Sequence, residues 1–223
     1  MRTFVLVSLF VFSVYKVHAQ TYFSKDYHFP LHQAVGGSVF CNINYYSSVS
    51  NIIDDVNIPG IKYKWKTVFS NITLNGDILY TKIYNSKYST YLFKTIKTYN
   101  DNYISVGAAV LDTVNYYEDS TQVALIMFDS SGDTIFFKNL LYAPNKKTYG
   151  YDICQEADSG FVVCGITNKY SVNMRAMLLR LDKDGNVLWE KTYPNAGDVY
   201  AYSLAKAADG GYLLGCTQWG EVL

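Results

Sequence analysis

Apolar and polar residues alternate along most of this chain in short runs, and each run ends in a cluster of Asp, Asn, Ser and Gly. A two-residue period puts one face of an extended segment into a core, and the interrupting clusters are turn formers. The pattern therefore predicts strands joined by tight hairpins, with no helix-period stretch to compete. It is clearest near the C-terminus, in Met177–Tyr193 (MLLRLDKDGNVLWEKTY) and Ala201–Gln218 (AYSLAKAADGGYLLGCTQ). Each holds two aromatic-rich runs about a turn, at Lys183-Asp184-Gly185 and at Asp209-Gly210-Gly211.

Both hairpins have earlier copies. The first recurs as Ile72–Lys82, Phe128–Lys138 and Leu181–Lys191, with turn glycines Gly76, Gly132 and Gly185. Four residues after each glycine stands an aromatic (Tyr80, Phe136, Trp189), and six after it a lysine (Lys82, Lys138, Lys191). These two positions share a strand face, so the lysine stem is expected beside the ring with its ammonium in water. The second hairpin turns at Asn100-Asp101-Asn102, Asp158-Ser159-Gly160 and Asp209-Gly210-Gly211, preceded seven residues earlier by Phe93, Tyr151 or Tyr202. Three residues after the turn's first position come Tyr103, Phe161 and Tyr212, and four further on Gly107, Gly165 and Cys216. The third turn position (Asn102, Gly160, Gly211) is expected to take the left-handed backbone. Gly107 and Gly165, inside strands, mark places where another backbone passes close by. Gly165→Val should therefore destabilise more than Gly132→Asn.

The turn glycines recur at spacings of 56 (Gly76 to Gly132) and 53 (Gly132 to Gly185) residues. Two hairpins make four strands per unit, which is the size of a propeller blade whose apolar face is covered only by the next blade. A β-sandwich would not require this self-similarity. The fold expected is all-β, a propeller-like array of four-stranded antiparallel blades, about three and a half of them over residues 62–223. Ala34–Phe40 (AVGGSVF) resembles Ala208–Leu214 (ADGGYLL) and reads as a weak further copy of the second hairpin. Tyr45–Gly60, rich in Ser and Asn and ending in Pro59-Gly60, reads as a long polar loop. Residues 20–61 are thus a poorly patterned segment with a partial blade.

Residues 1–19 have the three parts of a secretory leader: Arg2, the apolar run Phe4–Val14, and Val17-His18-Ala19. Cleavage there leaves 17 basic against 19 acidic residues, since Arg2 and Lys16 are removed from a chain with 19 of each. Nothing in that balance points to nucleic acid, and the apolar run is too short to span a bilayer. Four cysteines (Cys41, Cys154, Cys164, Cys216) in an exported chain allow three pairings. Cys154 and Cys164 flank a turn and would face each other across a three-residue loop; free, partly buried thiols are the other reading.

The Asp209–Gly215 segment (DGGYLLG), together with Leu181–Tyr193 (LDKDGNVLWEKTY), resembles the repeat of secreted Bacteroidetes β-propeller proteins. That family is exported, often by type IX secretion with a C-terminal sorting domain, and the leader ending Ala19-Gln20 is similar to theirs. The likeness covers Lys62–Gln218 and is strongest in the last copy. It implies the fold and an extracellular or cell-surface address, and it brings no common catalytic residues. The chain ends where another blade would begin and carries no recognisable sorting domain, so a truncated member of the family is expected.

Few residues suggest chemistry. Asp182-Lys183-Asp184-Gly185-Asn186 begins like a calcium loop but lacks the bidentate acid, and such residues are also what a hairpin turn selects. His28 and His32 flank Pro30 and have no third ligand nearby, so no metal or cofactor is assigned. Asp54-Asp55 and Glu118-Asp119 lie in polar connections and are not placed as a glycosidase pair. Asn71-Ile72-Thr73 fits a glycosylation sequon, which the bacterial resemblance implies is idle. Trp65, Tyr80, Phe136 and Trp189 read as filler between blades rather than as a sugar platform. The paired tyrosines Tyr45, Tyr46, Tyr116 and Tyr117 are the interaction candidates, as rings in polar loops. The expectation is a non-enzymatic interaction module with a protein or glycan partner. The alternatives are the propeller part of an extracellular hydrolase or lyase, and a structural spacer.

Overall fold

The computed structural model describes residues 32–58, 61–110, 120–141, 143–193 and 197–219. Among them are fourteen strands and no helix, grouped in four antiparallel sheets. The first sheet runs β1 (His32–Cys41), β2 (Tyr45–Ile58), β3 (Ile61–Thr73), β4 (Ile78–Tyr84), neighbours pairing in chain order. The second runs β5 (Ser89–Lys97), β6 (Tyr103–Val110), β7 (Thr121–Phe128), β8 (Thr134–Leu140). The third runs β9 (Thr148–Gln155), β10 (Phe161–Thr167), β11 (Arg175–Leu181), β12 (Val187–Tyr193). The fourth holds β13 (Asp198–Lys206) and β14 (Tyr212–Trp219).

The first strands of the four sheets, β1, β5, β9 and β13, lie beside one another, while each fourth strand is largely exposed. This is a propeller-like fan with the first strands gathered on one side. Its sheets combine hairpins across the sequence repeat: β5–β6, the second hairpin of one repeat, pairs through β6 and β7 with the first hairpin of the next. The segment from Met177 to Trp219 consequently straddles two sheets.

Alternation explains why the middle strands read as continuously apolar. In β7, Val123, Leu125 and Met127 join Ile104, Val106, Phe161, Val163, Met177 and Leu179 in the core between the second and third sheets. The intervening Ala124, Ile126 and Phe128 face the other way, onto Val49, Phe69 and Tyr103 between the first and second. A third core holds Val162, Cys164, Leu178 and Ala201 between the third and fourth sheets. Each fully buried Phe or Leu contributes about 1.5–3 kcal/mol relative to exposure, so the three inter-sheet cores hold the fan together.

Six hairpin turns share one geometry. In each, residue x receives the N–H of x+3 and donates its own N–H to the carbonyl of x+4, where x is Thr73, Thr98, Asp129, Glu156, Asp182 or Ala207. The residue at x+3 is left-handed: Gly76, Asp101, Gly132, Ser159, Gly185 and Gly210, with φ from 59° at Asp101 to 85° at Gly76 and Gly210. This is the three-residue hairpin loop that closes a type I turn with a left-handed residue. The left-handed position in the second hairpin is therefore the middle one, not Asn102, Gly160 or Gly211.

Three further expectations are corrected. Tyr45–Ile58 is strand β2, not a loop; its Ser and Asn side chains are accommodated because they bond groups on other strands, as Ser47 does in donating to Asn71 Oδ1 of β3 (2.7 Å). Gly36 and Gly37 lie inside β1 at a bulge, where a Cβ on Gly37 would overlap the Val49 carbonyl, so they are no turn. Residues 32–58 thus supply half of a complete four-stranded sheet. Finally, Cys154 pairs with Val162 and Cys164 with Asp152, each partner two residues away from the expected one, and all four cysteines are free.

Candidate functional site

The first strands carry a repeated irregularity. In β5, Leu92 pairs with Gly107 and Lys94 with Val106, leaving Phe93 as an extra residue. Tyr151 is extra in β9 in the same way, between Gly150 and Asp152, and Tyr202 in β13, between Ala201 and Ser203. A bulge re-aims its side chain and kinks the strand. Here it also explains the strand glycines: a Cβ on Gly107 would overlap the Tyr91 carbonyl, and one on Gly165 the Tyr149 carbonyl.

Because the bulge falls at the same place in three neighbouring strands, the extra rings meet. Phe93 and Tyr151 have centroids 4.7 Å apart, and Tyr151 and Tyr202 4.8 Å apart, each pair tilted near 50°. Two residues before each stands another tyrosine on the same face: Tyr91 at 5.1 Å from Phe93, Tyr149 at 6.1 Å from Tyr151, Tyr200 at 6.0 Å from Tyr202. Trp65 extends the row, 5.9 Å from Tyr91. Such tilted and offset contacts are favourable beyond simple burial, by about 0.5–1.5 kcal/mol a pair. The result is an aromatic ladder crossing three sheets, with Phe93 42% and Tyr202 47% exposed and Tyr151 half-buried between them.

The backbone under the ladder is fixed by side chains reaching across sheets. Asn51 of β2 accepts from Leu92 N (2.9 Å) and donates to Leu92 O (2.8 Å), satisfying both groups beside the first bulge. Ser38 accepts from Thr95 N, and at the equivalent place between the third and fourth sheets Asp152 Oδ2 accepts from Leu204 N (2.9 Å). Asp152 Oδ1 takes Ile153 N (2.9 Å), so both of its oxygens hold backbone. Tyr200 keeps its proton to higher pH than an ordinary phenol, chiefly through burial and then through the Asp198 charge.

The residues singled out in the sequence fall elsewhere. Tyr103 and Phe161 are fully buried, and the Tyr103 hydroxyl donates to Ser47 (3.0 Å). Tyr212 is half-buried against the third sheet, Tyr80 accepts a 2.6 Å bond from Asn71, and Phe136 packs against the core between the second and third sheets. Trp189 is 41% exposed at the outer edge of the third sheet. Tyr45 and Tyr46 are half-buried on β2 rather than in a loop, and Tyr116, Tyr117, Glu118 and Asp119 lie outside the described residues. The Asp182 carboxylate is turned inward, its Oδ1 taking Asp184 N and Asn186 N and its Oδ2 the Asn186 amide, which is a turn and lowers its pKa. The sequon residue Asn71 is 4% exposed with both side-chain ends bonded. Among the described residues no three His, Cys, Asp or Glu side chains converge on a point that could hold a metal ion.

The ladder was open to detection as an aromatic-x-aromatic triplet, Tyr91-Leu92-Phe93, Tyr149-Gly150-Tyr151 and Tyr200-Ala201-Tyr202, seven to nine residues ahead of each second turn. What the triplet conceals is the bulge, which sends one ring of each pair to its neighbour in the next sheet. No protein-family model matches this chain, and no curated protein matches it either.

Proposed function

We propose that this protein is an exported, non-enzymatic β-propeller interaction module that binds a polypeptide partner through the ladder of Phe93, Tyr151 and Tyr202. The observation that carries the reading is the continuity of that ladder, three rings from three sheets, each centroid within 4.8 Å of the next, and exposed at both ends. Partly covered tyrosines and other large aromatics dominate the binding free energy of protein interfaces, because their rings are rigid and exclude water well. The secretory leader and the resemblance to secreted Bacteroidetes repeat proteins support the extracellular address and the type IX route. A non-enzymatic role is supported by Asp152, the residue next to Tyr151, whose oxygens are both committed to backbone N–H groups.

The test is to screen the mature protein on peptide and glycan arrays beside the Phe93→Ala/Tyr202→Ala variant. Peptide ligands retained by the parent and lost by the variant, at unchanged melting temperature, are expected. Binding untouched by the variant, or confined to glycans, overturns the reading.

A further inference from the structure

The ladder is also a run of phenols. Tyr149, Tyr151, Tyr202 and Tyr200 follow one another ring against ring, with centroids 6.1, 4.8 and 6.0 Å apart. The two outer contacts join residues two apart on one strand and hold the rings nearly parallel, at 4° and 13°. The central contact differs in three ways: it is the shortest, it crosses from the third sheet to the fourth, and its rings are tilted at 48°.

This contact is held by the backbone. Tyr151 and Tyr202 are the extra residues of matching bulges in β9 and β13, which turn the two rings toward each other. Polar side chains on either side fix the two strands in that register: Asp152 Oδ2 accepts from Leu204 N (2.9 Å), and Lys206 Nζ donates to the Gln155 carbonyl (2.6 Å). Exported proteins commonly tie their sheets with disulfides, yet all four cysteines here are free. Two phenols locked in contact across a sheet boundary provide another route to a covalent tie.

We propose that Tyr151 and Tyr202 are a site of oxidative modification, where a one-electron oxidant joins the two rings as a dityrosine and ties the third sheet to the fourth. Each phenol gives up one electron and its hydroxyl proton. The two phenoxyl radicals then bond through the ring carbons beside their oxygens, and the hydrogens on those carbons move to the oxygens, restoring both phenols. Two electrons and two protons leave in all, and hydrogen peroxide acting through a haem peroxidase takes them up as two waters. Bonded phenol rings lie slightly closer and are likewise twisted against each other, so the pair needs little movement to react. Radicals formed on Tyr149 or Tyr200 reach the pair along the stack. The chemistry depends on ring geometry and not on a bound partner, so it stands apart from the peptide-binding reading.

The test is to treat the full chain with peroxidase and hydrogen peroxide at high dilution, then follow dityrosine fluorescence and map the product by mass spectrometry. A monomer lighter by two hydrogens, with a linked peptide pair containing Tyr151 and Tyr202 and a raised melting temperature, is expected, because the bond closes a long loop. Tyr151→Phe or Tyr202→Phe removes that product while keeping the ring and the fold, as circular dichroism checks. Phe93, 4.7 Å from Tyr151 on the other side, supplies the gain-of-function arm: Phe93→Tyr combined with Tyr202→Phe moves the bond to positions 93 and 151. Tyr99→Phe and Tyr170→Phe leave the product unchanged, although Tyr99 (67%) and Tyr170 (56%) are the more exposed phenols, since neither has a tyrosine ring against it among the described residues. Absence of an intramolecular product, a product that maps to other tyrosines, or a bond that fails to move in the double variant overturns the proposal.

Discussion

Lys82 on β4 donates to Asp133 Oδ1 across a 2.7 Å gap between the first and second sheets, so the lysine six residues after one turn glycine holds the residue just after the next. Lys138 does the same toward Asn186. The lysine ammonium therefore ends on the neighbouring sheet, which is why the position recurs. The pair is largely exposed, with Asp133 73% accessible, so its contribution is small and screened by salt. Lys82→Ala should lower the melting temperature slightly at low ionic strength and not at all at high. Because the partner raises the Lys82 pKa, the contribution is present up to the ordinary lysine range and fades as pH rises through the folded value.

The glycines rank by what a side chain would meet. A Cβ on Gly165 overlaps the Tyr149 carbonyl, a backbone atom that cannot yield; on Gly132 it overlaps the ring of buried Phe69; on Gly210 it meets nothing within 4 Å. Urea denaturation should show Gly165→Val losing about 3 kcal/mol or more, Gly132→Asn about 1–3, and Gly210→Asn well under 1. The middle value corrects the expectation that Gly132 is only a turn residue, since its left-handed φ of 76° suits Asn but its packing does not. Near-equal losses for Gly132→Asn and Gly210→Asn would contradict the packing of Gly132 against Phe69.

Asn51, 5% exposed, satisfies both backbone groups of Leu92 from the adjacent sheet. Asn51→Ala leaves a donor and an acceptor without partners and should lose about 2–4 kcal/mol in equilibrium unfolding. Asn51→Asp keeps the acceptor and loses the donor, so it should also destabilise. A neutral Asn51→Ala would show that the sheets are not stitched there.

The acid limb of stability should carry Asp182 and Asp158, both held below the ordinary carboxylate range, first by backbone N–H donors and then by the Asn186 amide or the Arg180 guanidinium. A lowered folded pKa contributes stability that is present above the ordinary aspartate value and lost as pH falls through the folded one. Asp182→Asn should flatten the fall of melting temperature below pH ~4. An unchanged acid limb would show that Asp182 is free in solution.

Thiol reactivity should follow position. Cys41 and Cys216 are exposed, whereas burial and the Asp152 charge push Cys164 up to about 12, and burial and Glu156 push Cys154 up to about 11. Native labelling near neutral pH should modify Cys41 first and Cys164 last, with all four titrating after unfolding. A Cys154–Cys164 bridge in the non-reduced protein would contradict the register.

Much of the fold could be read from local chemistry, and the rest depends on partners distant in sequence. Turn glycines, the aromatic at the fourth position and the lysine at the sixth are set by strand periodicity and were visible. The pairing of one repeat's second hairpin with the next repeat's first was not, because β6 and β7 are ten residues apart in sequence with no Gly-containing turn signal between them. Strand β2 was obscured for a similar reason: Ser47 and Asn51 look like loop residues until their partners Tyr103 and Leu92 are known. The bulges at Phe93, Tyr151 and Tyr202, and with them the candidate site, arise only when the sheets form.

Ring-to-ring nuclear Overhauser contacts from Tyr151 give the sharpest check on the fan of repeated sheets. Cross-peaks from the Tyr151 ring to both Phe93 and Tyr202 are predicted, since those centroids lie 4.7 and 4.8 Å away in the sheets on either side. Contacts from Tyr151 to neither ring, with the stretches lying edge to edge in one continuous layer, would contradict it.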